Sequence, residues 1–277
     1  MIKRLLVPNF RHFHQFRMNH NLVSVTESDG IRNITMIDTK KRNCLSLEMM
    51  ENLLHEIKRN EDDKELRVIV LSSSGPVFSS GHNLKELSSD KGAENQKKVF
   101  DKCHELIKSI IASPLPVISK IDGLAAGTAG LQLAASCDIA ICSEKSTFST
   151  PGASFGIFCS TPGIAISRTI PRMKSSYMLL TGLPISSEEA LRVGLVSSVV
   201  PSEKLDQELN EICDAIKSKS RAVVSFGKKF YYQQLGMDLN SSYIAGSQAM
   251  VDNLQLKDGQ EGIKSFIEKR KPVWSNE

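Results

Sequence analysis

The chain has 277 residues, of which 40% are hydrophobic and 24% are charged, and these fractions exclude disordered, collagenous and low-complexity classes. Four of its 35 Lys and Arg residues, and none of its 31 Asp and Glu residues, lie in residues 1–21. The net charge of +4 therefore belongs to the first 21 residues, and we predict no basic face for nucleic acid on the remainder.

Residues 1–21 interleave Leu and Phe with Arg and contain no acidic residue. This composition is typical of a mitochondrial transit peptide, and an unstructured basic tail is the alternative. We predict a transit peptide over residues 1–21 and a location in the mitochondrial matrix. The six cysteines include no Cys-x-x-Cys pair, so we expect free thiols in a reducing compartment and no metal site.

Short β-like runs alternate with helical patterns from residue 22 onward. Residues 22–37 contain two apolar runs around Ser28-Asp29-Gly30, which predict a hairpin. Residues 46–59 are predicted to be a helix, because Ser46 is a typical N-cap and apolar residues recur on one face. A β-branched run over residues 67–72 predicts a buried strand.

The same alternation continues through the middle of the chain. We predict a polar helix over 94–112, a strand over 116–121, a Gly/Ala-rich helix over 124–136 and a strand over 138–142. Strands joined by helices indicate parallel pairing with right-handed crossovers. The sequence thus predicts an α/β core over residues 22–202 and a mostly helical part over residues 203–277.

An uncharged stretch covers residues 146–167 and is long enough, at 22 residues, to cross a bilayer. It contains two prolines and eight Ser or Thr residues, so its hydropathy is wrong for a membrane helix. We interpret it as a buried, turn-rich segment and predict no membrane span.

Two segments place glycine where a strand leads into a helix: residues 77–87, VFSSGHNLKEL, and residues 120–139, KIDGLAAGTAGLQLAASCDI. Glycine lets a backbone approach a ligand closely, and a helix N-terminus presents free N–H groups. Two such donors converging on one carbonyl oxygen would form an oxyanion hole. The alternative is that small residues only permit tight packing of helix on sheet, and the residues alone leave both interpretations open.

These two segments resemble the crotonase (enoyl-CoA hydratase/isomerase) superfamily. Further landmarks in the same order are residues 42–46, 188–201 and 262–272, so the likeness runs from about residue 22 to the C-terminus. The resemblance implies a ClpP/crotonase-like spiral of ββα units, with residues 203–277 as a helical oligomerisation region of a homotrimer or a dimer of trimers. It also implies an acyl-CoA thioester as ligand, with coenzyme A as part of the substrate and no separate cofactor.

The resemblance assigns the oxyanion donors to the backbone N–H groups of His82 and Ala129. This chain has one more residue than the family pattern between Gly123 and Gln132, so Thr128 or Gly130 remains an alternative to Ala129. Lys85 and the basic residues 269–271 are candidate partners for the phosphates of coenzyme A, although a solvated charged end is the alternative for the latter. The residues expected to bind substrate are Ser80, His82, Asn83, Leu84, Lys85 and Gln132.

The departure from the family concerns the two glutamates that hydratases use to activate water. The corresponding positions hold Gln132 and Gly152, and neither side chain accepts a proton at neutral pH. The imidazole of His82 is either a replacement base or only part of the pocket wall. Two hypotheses follow: a lyase or isomerase of fatty-acid metabolism with another base, or a non-catalytic acyl-CoA-binding or regulatory protein.

Overall fold

The computed structural model describes residues 16–19 and 22–277. The predicted transit peptide lies outside the described residues except for residues 16–19, which form the first strand, and it stays a prediction. The strands are β1 (Phe16–Asn19), β2 (Val23–Ser28), β3 (Ile31–Met36), β4 (Val68–Ser73), β5 (Val77–Ser79), β6 (Val117–Ile121), β7 (Leu124–Ala125), β8 (Ile139–Ser143), β9 (Thr147–Phe148), β10 (Ile185–Ser186) and β11 (Ser198–Val200). The helices are α1 (Leu47–Lys58), α2 (Gly92–Ala112), α3 (Gly127–Ala135), α4 (Ser160–Thr169), α5 (Arg172–Thr181), α6 (Ser187–Arg192), α7 (Leu205–Lys217), α8 (Arg221–Gln234), α9 (Leu239–Gln255) and α10 (Lys257–Ile267).

Two sheets run through the described part of the chain. The larger has the strand order β1-β2-β3-β4-β6-β8-β11, and the smaller has the order β10-β9-β7-β5. Strands β3, β4, β6, β8 and β11 pair in parallel, whereas β1, β2 and β3 pair antiparallel. Successive turns of the chain give one strand to each sheet and then a helix: β4–β5–α2, then β6–β7–α3. This spiral of ββα units confirms the predicted α/β crotonase fold.

Local sequence signals produce the first elements as expected. Asp29 and Gly30 form the turn of the β2–β3 hairpin, with φ angles of 50° and 73°. The larger positive angle falls on Gly30, and glycine adopts it without strain. The Ser46 hydroxyl accepts the N–H of Met49 at 3.2 Å and so caps α1. The hairpin and the capped helix are both confirmed.

The predicted helix over 124–136 was wrong at its start. Leu124 and Ala125 form β7, which pairs with β5 and β9, and α3 begins only at Gly127. Gly123 makes this possible: its φ is +124°, and a Cβ there would lie 2.1 Å from the carbonyl oxygen of Pro76. Pairing with a distant strand therefore overrides the local helical pattern.

The uncharged segment 146–167 was predicted to be buried, and the prediction fails over its middle, residues 153–158, whereas Cys159 and Ile166 further along are fully buried. Phe148 and Thr150 are fully buried, but Phe155 is 66% exposed and Phe158 is 51% exposed. The segment is turn-rich as expected, because a short 3₁₀ helix follows β9. Over the described residues, the helices are all too short or too polar to cross a bilayer.

The core has two parts on opposite faces of the larger sheet. One large cluster joins the sheets to α1, α2 and α3, and a smaller cluster packs α7 against the other face. A buried polar group then ties α8 to this core. Lys228 donates to Asp138 Oδ2 at 2.7 Å and to the carbonyl oxygens of Ile110 and Leu115 at 2.9 and 2.8 Å, while Tyr232 donates to Asp138 Oδ1 at 2.9 Å.

Candidate functional site

The two glycine-containing segments meet backbone to backbone. A Cβ on Gly127 would lie 2.4 Å from the carbonyl oxygen of Ser80, and one on Gly130 would lie 2.6 Å from that of Ser79. The N–H of Ala126 also donates to the Ser79 carbonyl at 2.9 Å. Only glycine permits this approach, so the start of α3 is held against the segment that leads into His82.

A cavity of about 570 Å³ opens beside this junction. Its wall includes the start of α3 at Gly127. Ala129 is the third residue of α3, so its N–H belongs to the first turn, where N–H groups have no acceptor within the helix; Thr128 and Gly130 share that property. Five of the predicted binding residues line the cavity together: Ser80, His82, Asn83, Leu84 and Lys85.

The charge at this cavity is positive. Lys41, Arg42 and Lys85 line it and are exposed, and within the described ranges no carboxylate is part of its wall. The predicted basic residues 269–271 are not in the wall. Arg270 instead forms a fork with Glu261, at 2.6 and 2.8 Å. The cavity mouth therefore favours an anionic ligand group.

His82 is 5% exposed and is held by a β-bridge to Leu45. Its ring lies edge-on to Phe100, with the centroids 5.4 Å apart. Among the described residues, neither ring nitrogen makes a hydrogen bond of acceptable geometry. Burial lowers the pKa of the imidazole to about 4, although the nearby Leu45 carbonyl opposes this shift. The side chain is therefore a neutral imidazole at pH 7.

Gln132 lies elsewhere, in a second cavity of about 710 Å³ among α2, α3, α4 and α8. The Cys103 thiol donates to Gln132 Oε1 at 3.9 Å, and burial raises the pKa of that thiol to about 12. Phe100 lines both cavities. Gln132 thus lines a different cavity from the other five predicted binding residues, and Phe100 contributes to the walls of both cavities.

Gly152 lines the first cavity but has no space for a side chain. A Cβ there would lie 2.2 Å from the carbonyl oxygen of Ile157 and 2.6 Å from Cys159 Sγ. The Gly152 N–H donates to that sulfur at 3.3 Å, and burial raises the pKa of the Cys159 thiol. The loop backbone, and not only the residue type, excludes a glutamate at position 152.

Sequence reasoning missed several residues of the wall. Cys44 and Phe100 both line the first cavity, and burial raises the pKa of the Cys44 thiol. Cys44 lies within the landmark 42–46, which was a usable signal. Phe100 lies in a helix that the sequence describes only as polar, so nothing marked it.

Residues 26–277 match the model of the family described as enoyl-CoA hydratase/isomerase. The chain belongs to this family. It is 52% identical over 254 residues to human enoyl-CoA hydratase domain-containing protein 3, mitochondrial, covering 92% of this chain and 84% of that protein. It is 49% identical over 256 residues to the Danio rerio protein of the same name, covering 92% and 88%.

Solved structures of the enoyl-CoA hydratase/isomerase family agree. The crystal structure of the human domain-containing protein 3 superposes with a TM-score of 0.90 at 51% identity, covering 92% of this chain and all of that one. An enoyl-CoA hydratase from Mycobacterium smegmatis gives 0.88 at 34% identity, covering 92% and 99%. The family resemblance drawn from the sequence is confirmed. The human and Danio rerio relatives are named as mitochondrial, and this family member is likewise a mitochondrial protein.

Proposed function

We propose that the chain binds an acyl-CoA thioester in the 570 Å³ cavity and stabilises negative charge on the thioester oxygen. The donors are the backbone N–H groups of His82 and Ala129. The observation that carries this proposal is the close contact of Gly127 with Ser80, which places the first turn of α3 beside the His82 segment. Backbone donors that already point at one position need little reorganisation when charge develops on the oxygen.

The basic residues in the cavity wall are proposed to bind the coenzyme A part of the ligand. Lys41, Arg42 and Lys85 lie where an elongated thioester would leave the cavity, and their charge suits the phosphates of coenzyme A. Coenzyme A enters as part of the substrate, so the proposed activity needs no separate cofactor. The proposed setting is fatty-acid metabolism in the mitochondrial matrix.

The proposed assembly is a homotrimer or a dimer of trimers. Large apolar side chains are exposed on α5, α9 and α10, among them Met173, Leu180, Tyr243 and Phe266, at 75%, 70%, 73% and 84%. Patches of this kind mark association surfaces. Sedimentation equilibrium of residues 22–277 tests the assembly: a mass of three or six chains supports it, and a monomer contradicts it.

A non-catalytic acyl-CoA-binding or regulatory protein is the second candidate. It is favoured by Gln132, which replaces a carboxylate with an amide, and by Gly152, where the Ile157 carbonyl excludes any side chain. Both candidates use the same cavity and the same two donors. The two candidates differ in whether the protein exchanges protons of the bound thioester with solvent. Measuring that exchange on the wild-type protein therefore distinguishes them.

Calorimetry with two ligands tests the shared part of the proposal. Butyryl-CoA carries the thioester oxygen, whereas the thioether S-butyl-CoA lacks it. Two hydrogen bonds at about 1 kcal/mol each predict that butyryl-CoA binds at least about tenfold more tightly. Equal affinities would refute the paired donors, and no binding of either ligand would refute the acyl-CoA assignment. Crotonyl-CoA in heavy water, followed by mass spectrometry, then reports turnover.

A further inference from the structure

The imidazole of His82 has a position that binding alone does not explain. It is 95% buried, it lines the 570 Å³ cavity, and both of its nitrogens lack a well-formed hydrogen bond to any part of the chain that the structure describes. A buried polar group without a partner is costly to the folded state. A ligand that enters the cavity is therefore the natural partner for this ring.

We propose that the His82 imidazole is the catalytic base of this site and removes a proton from the acyl carbon next to the thioester carbonyl. The proposal rests on the acyl-CoA binding proposed above and adds a reaction to it. One residue then supplies two functions: its backbone N–H holds the thioester oxygen, and its side chain takes the proton.

Covalent connectivity brings the two groups together. The ring and the N–H are attached to the same Cα, and the acidic carbon of an acyl thioester is bonded directly to the carbonyl carbon. When the thioester oxygen accepts the His82 N–H, the proposal requires the acidic carbon to approach the ring of the same residue, which lines the same cavity. The ring is also held in place, because Leu45 bridges the His82 backbone and Phe100 makes a T-shaped contact with the ring.

Other groups in the cavity wall are unsuited to this role. Lys41, Arg42 and Lys85 are cationic at neutral pH and have no free lone pair. The Cys44 thiol keeps its proton, because burial raises its pKa. The hydroxyl of Ser80 and the amide of Asn83 are not bases at neutral pH, and Asn83 Oδ1 already accepts the N–H of Lys85 at 3.3 Å. Glu86 accepts the N–H of Leu47 at 3.0 Å and is not part of this wall.

Burial lowers the pKa of His82 to about 4, so the ring is unprotonated at pH 7 and has a free lone pair. Like an ionised glutamate, the ring is ready to accept a proton at pH 7. The imidazolium that forms is paired at once with the enolate oxygen beside it, which offsets the cost of charge in a buried site.

The electron balance needs no further reagent. A ring lone pair takes the proton, the electron pair of the C–H bond forms the C=C bond of the enolate, and the carbonyl π pair moves to the oxygen held by the N–H groups. The imidazolium then returns the proton to the same carbon, which gives isotope exchange. With a β,γ double bond in the chain, it delivers the proton to the γ carbon instead, which is a 1,3 shift. A single base thus favours isomerisation over hydration.

The test measures deuterium uptake at the α carbon of butyryl-CoA in heavy water, together with the affinity for butyryl-CoA. His82→Gln and His82→Ala keep the backbone N–H and remove the base, and exposed His55→Gln on α1 is the matched control. We expect both His82 variants to retain measurable binding of butyryl-CoA through the backbone N–H and to lose at least about 100-fold in exchange rate at saturating butyryl-CoA. Added imidazole should restore exchange to His82→Ala, an effect that a purely structural role would not produce.

The outcomes separate the two proposals. Exchange by His82→Gln within threefold of the wild-type rate would overturn the assignment of the base. Binding without exchange by the wild-type protein would also overturn it and would leave acyl-CoA binding intact. Absence of both binding and exchange would overturn the proposed function itself. The wild-type rate should be level between about pH 6 and 8, because the ring is neutral throughout that range; a rise through pH 6.5 would contradict the neutral buried ring.

Discussion

Adding one methyl group at position 152 tests why the second family glutamate is missing. In Gly152→Ala the new Cβ would lie 2.2 Å from the Ile157 carbonyl oxygen, so the loop must open by about 0.8 Å to reach even a 3.0 Å contact. The new atom would also displace Cys159 Sγ, which now accepts the Gly152 N–H at 3.3 Å. Overpacking and one weakened hydrogen bond together predict a loss of about 2–4 kcal/mol in the free energy of unfolding.

Urea denaturation followed by circular dichroism measures this loss. All samples need one protein concentration, because association adds to apparent stability. Gly227→Ala is the matched control: it lies in α8 with nothing within 4 Å of a new Cβ, so it should gain about 0.5–1 kcal/mol. If Gly152→Ala unfolds within about 0.5 kcal/mol of wild type, the loop has room and the steric argument is wrong.

The crowding around Gly152 also limits what a carboxylate at this position can do. The double variant Gln132→Glu/Gly152→Glu should gain no hydration of crotonyl-CoA, because the loop that would carry the second carboxylate must first be pushed apart. Gln132→Glu also places its carboxylate in the second cavity, beside Cys103. Hydration at a rate typical of the family would show that the loop adapts.

Further predictions concern the cavities, the core and pH. Phe100→Ala should join the two cavities, because Phe100 lines both. The affinity for decanoyl-CoA relative to butyryl-CoA should then rise by at least about tenfold, since each buried methylene contributes about 0.8 kcal/mol. Calorimetry measures this ratio, and an unchanged ratio would show that Phe100 does not divide the two cavities. Lys228→Met should lower the free energy of unfolding by about 3–5 kcal/mol, because it leaves Asp138 buried without its cation. The control Lys229→Met, at an exposed position, should change it by no more than about 0.5 kcal/mol. Urea denaturation measures both values, and equal losses would contradict the role of the buried pair. The lowered pKa of His82, about 4, means that the unfolded chain binds this proton more readily, so its stabilising contribution is complete above pH 6.5 and declines toward pH 4. Between about pH 7.5 and pH 5 the wild type should lose about 2 kcal/mol more than His82→Gln, and parallel pH curves would show that the ring is not buried as a neutral group.

Much of the fold was predictable because it is encoded by neighbours along the chain. Ser46 and the apolar face that follows it determine α1, and Asp29-Gly30 determines the β2–β3 turn. The glycines at positions 127 and 130 left two interpretations open, approach to a ligand or tight packing, and in the structure they pack against the carbonyls of Ser80 and Ser79. The family motifs on these segments then predicted the ββα spiral and the five residues that share the cavity wall.

Contacts between residues far apart in the chain became known only from the tertiary structure. Nothing near His82 in the sequence indicates that Leu45 bridges its backbone, that Phe100 packs against its ring, or that burial lowers its pKa. Nothing near Gln132 indicates that it faces a different cavity. The sequence determined which residue types are present at the site, because motifs are local. The structure decided which of them are buried, paired or excluded, because burial and pKa depend on every chain segment that surrounds a group.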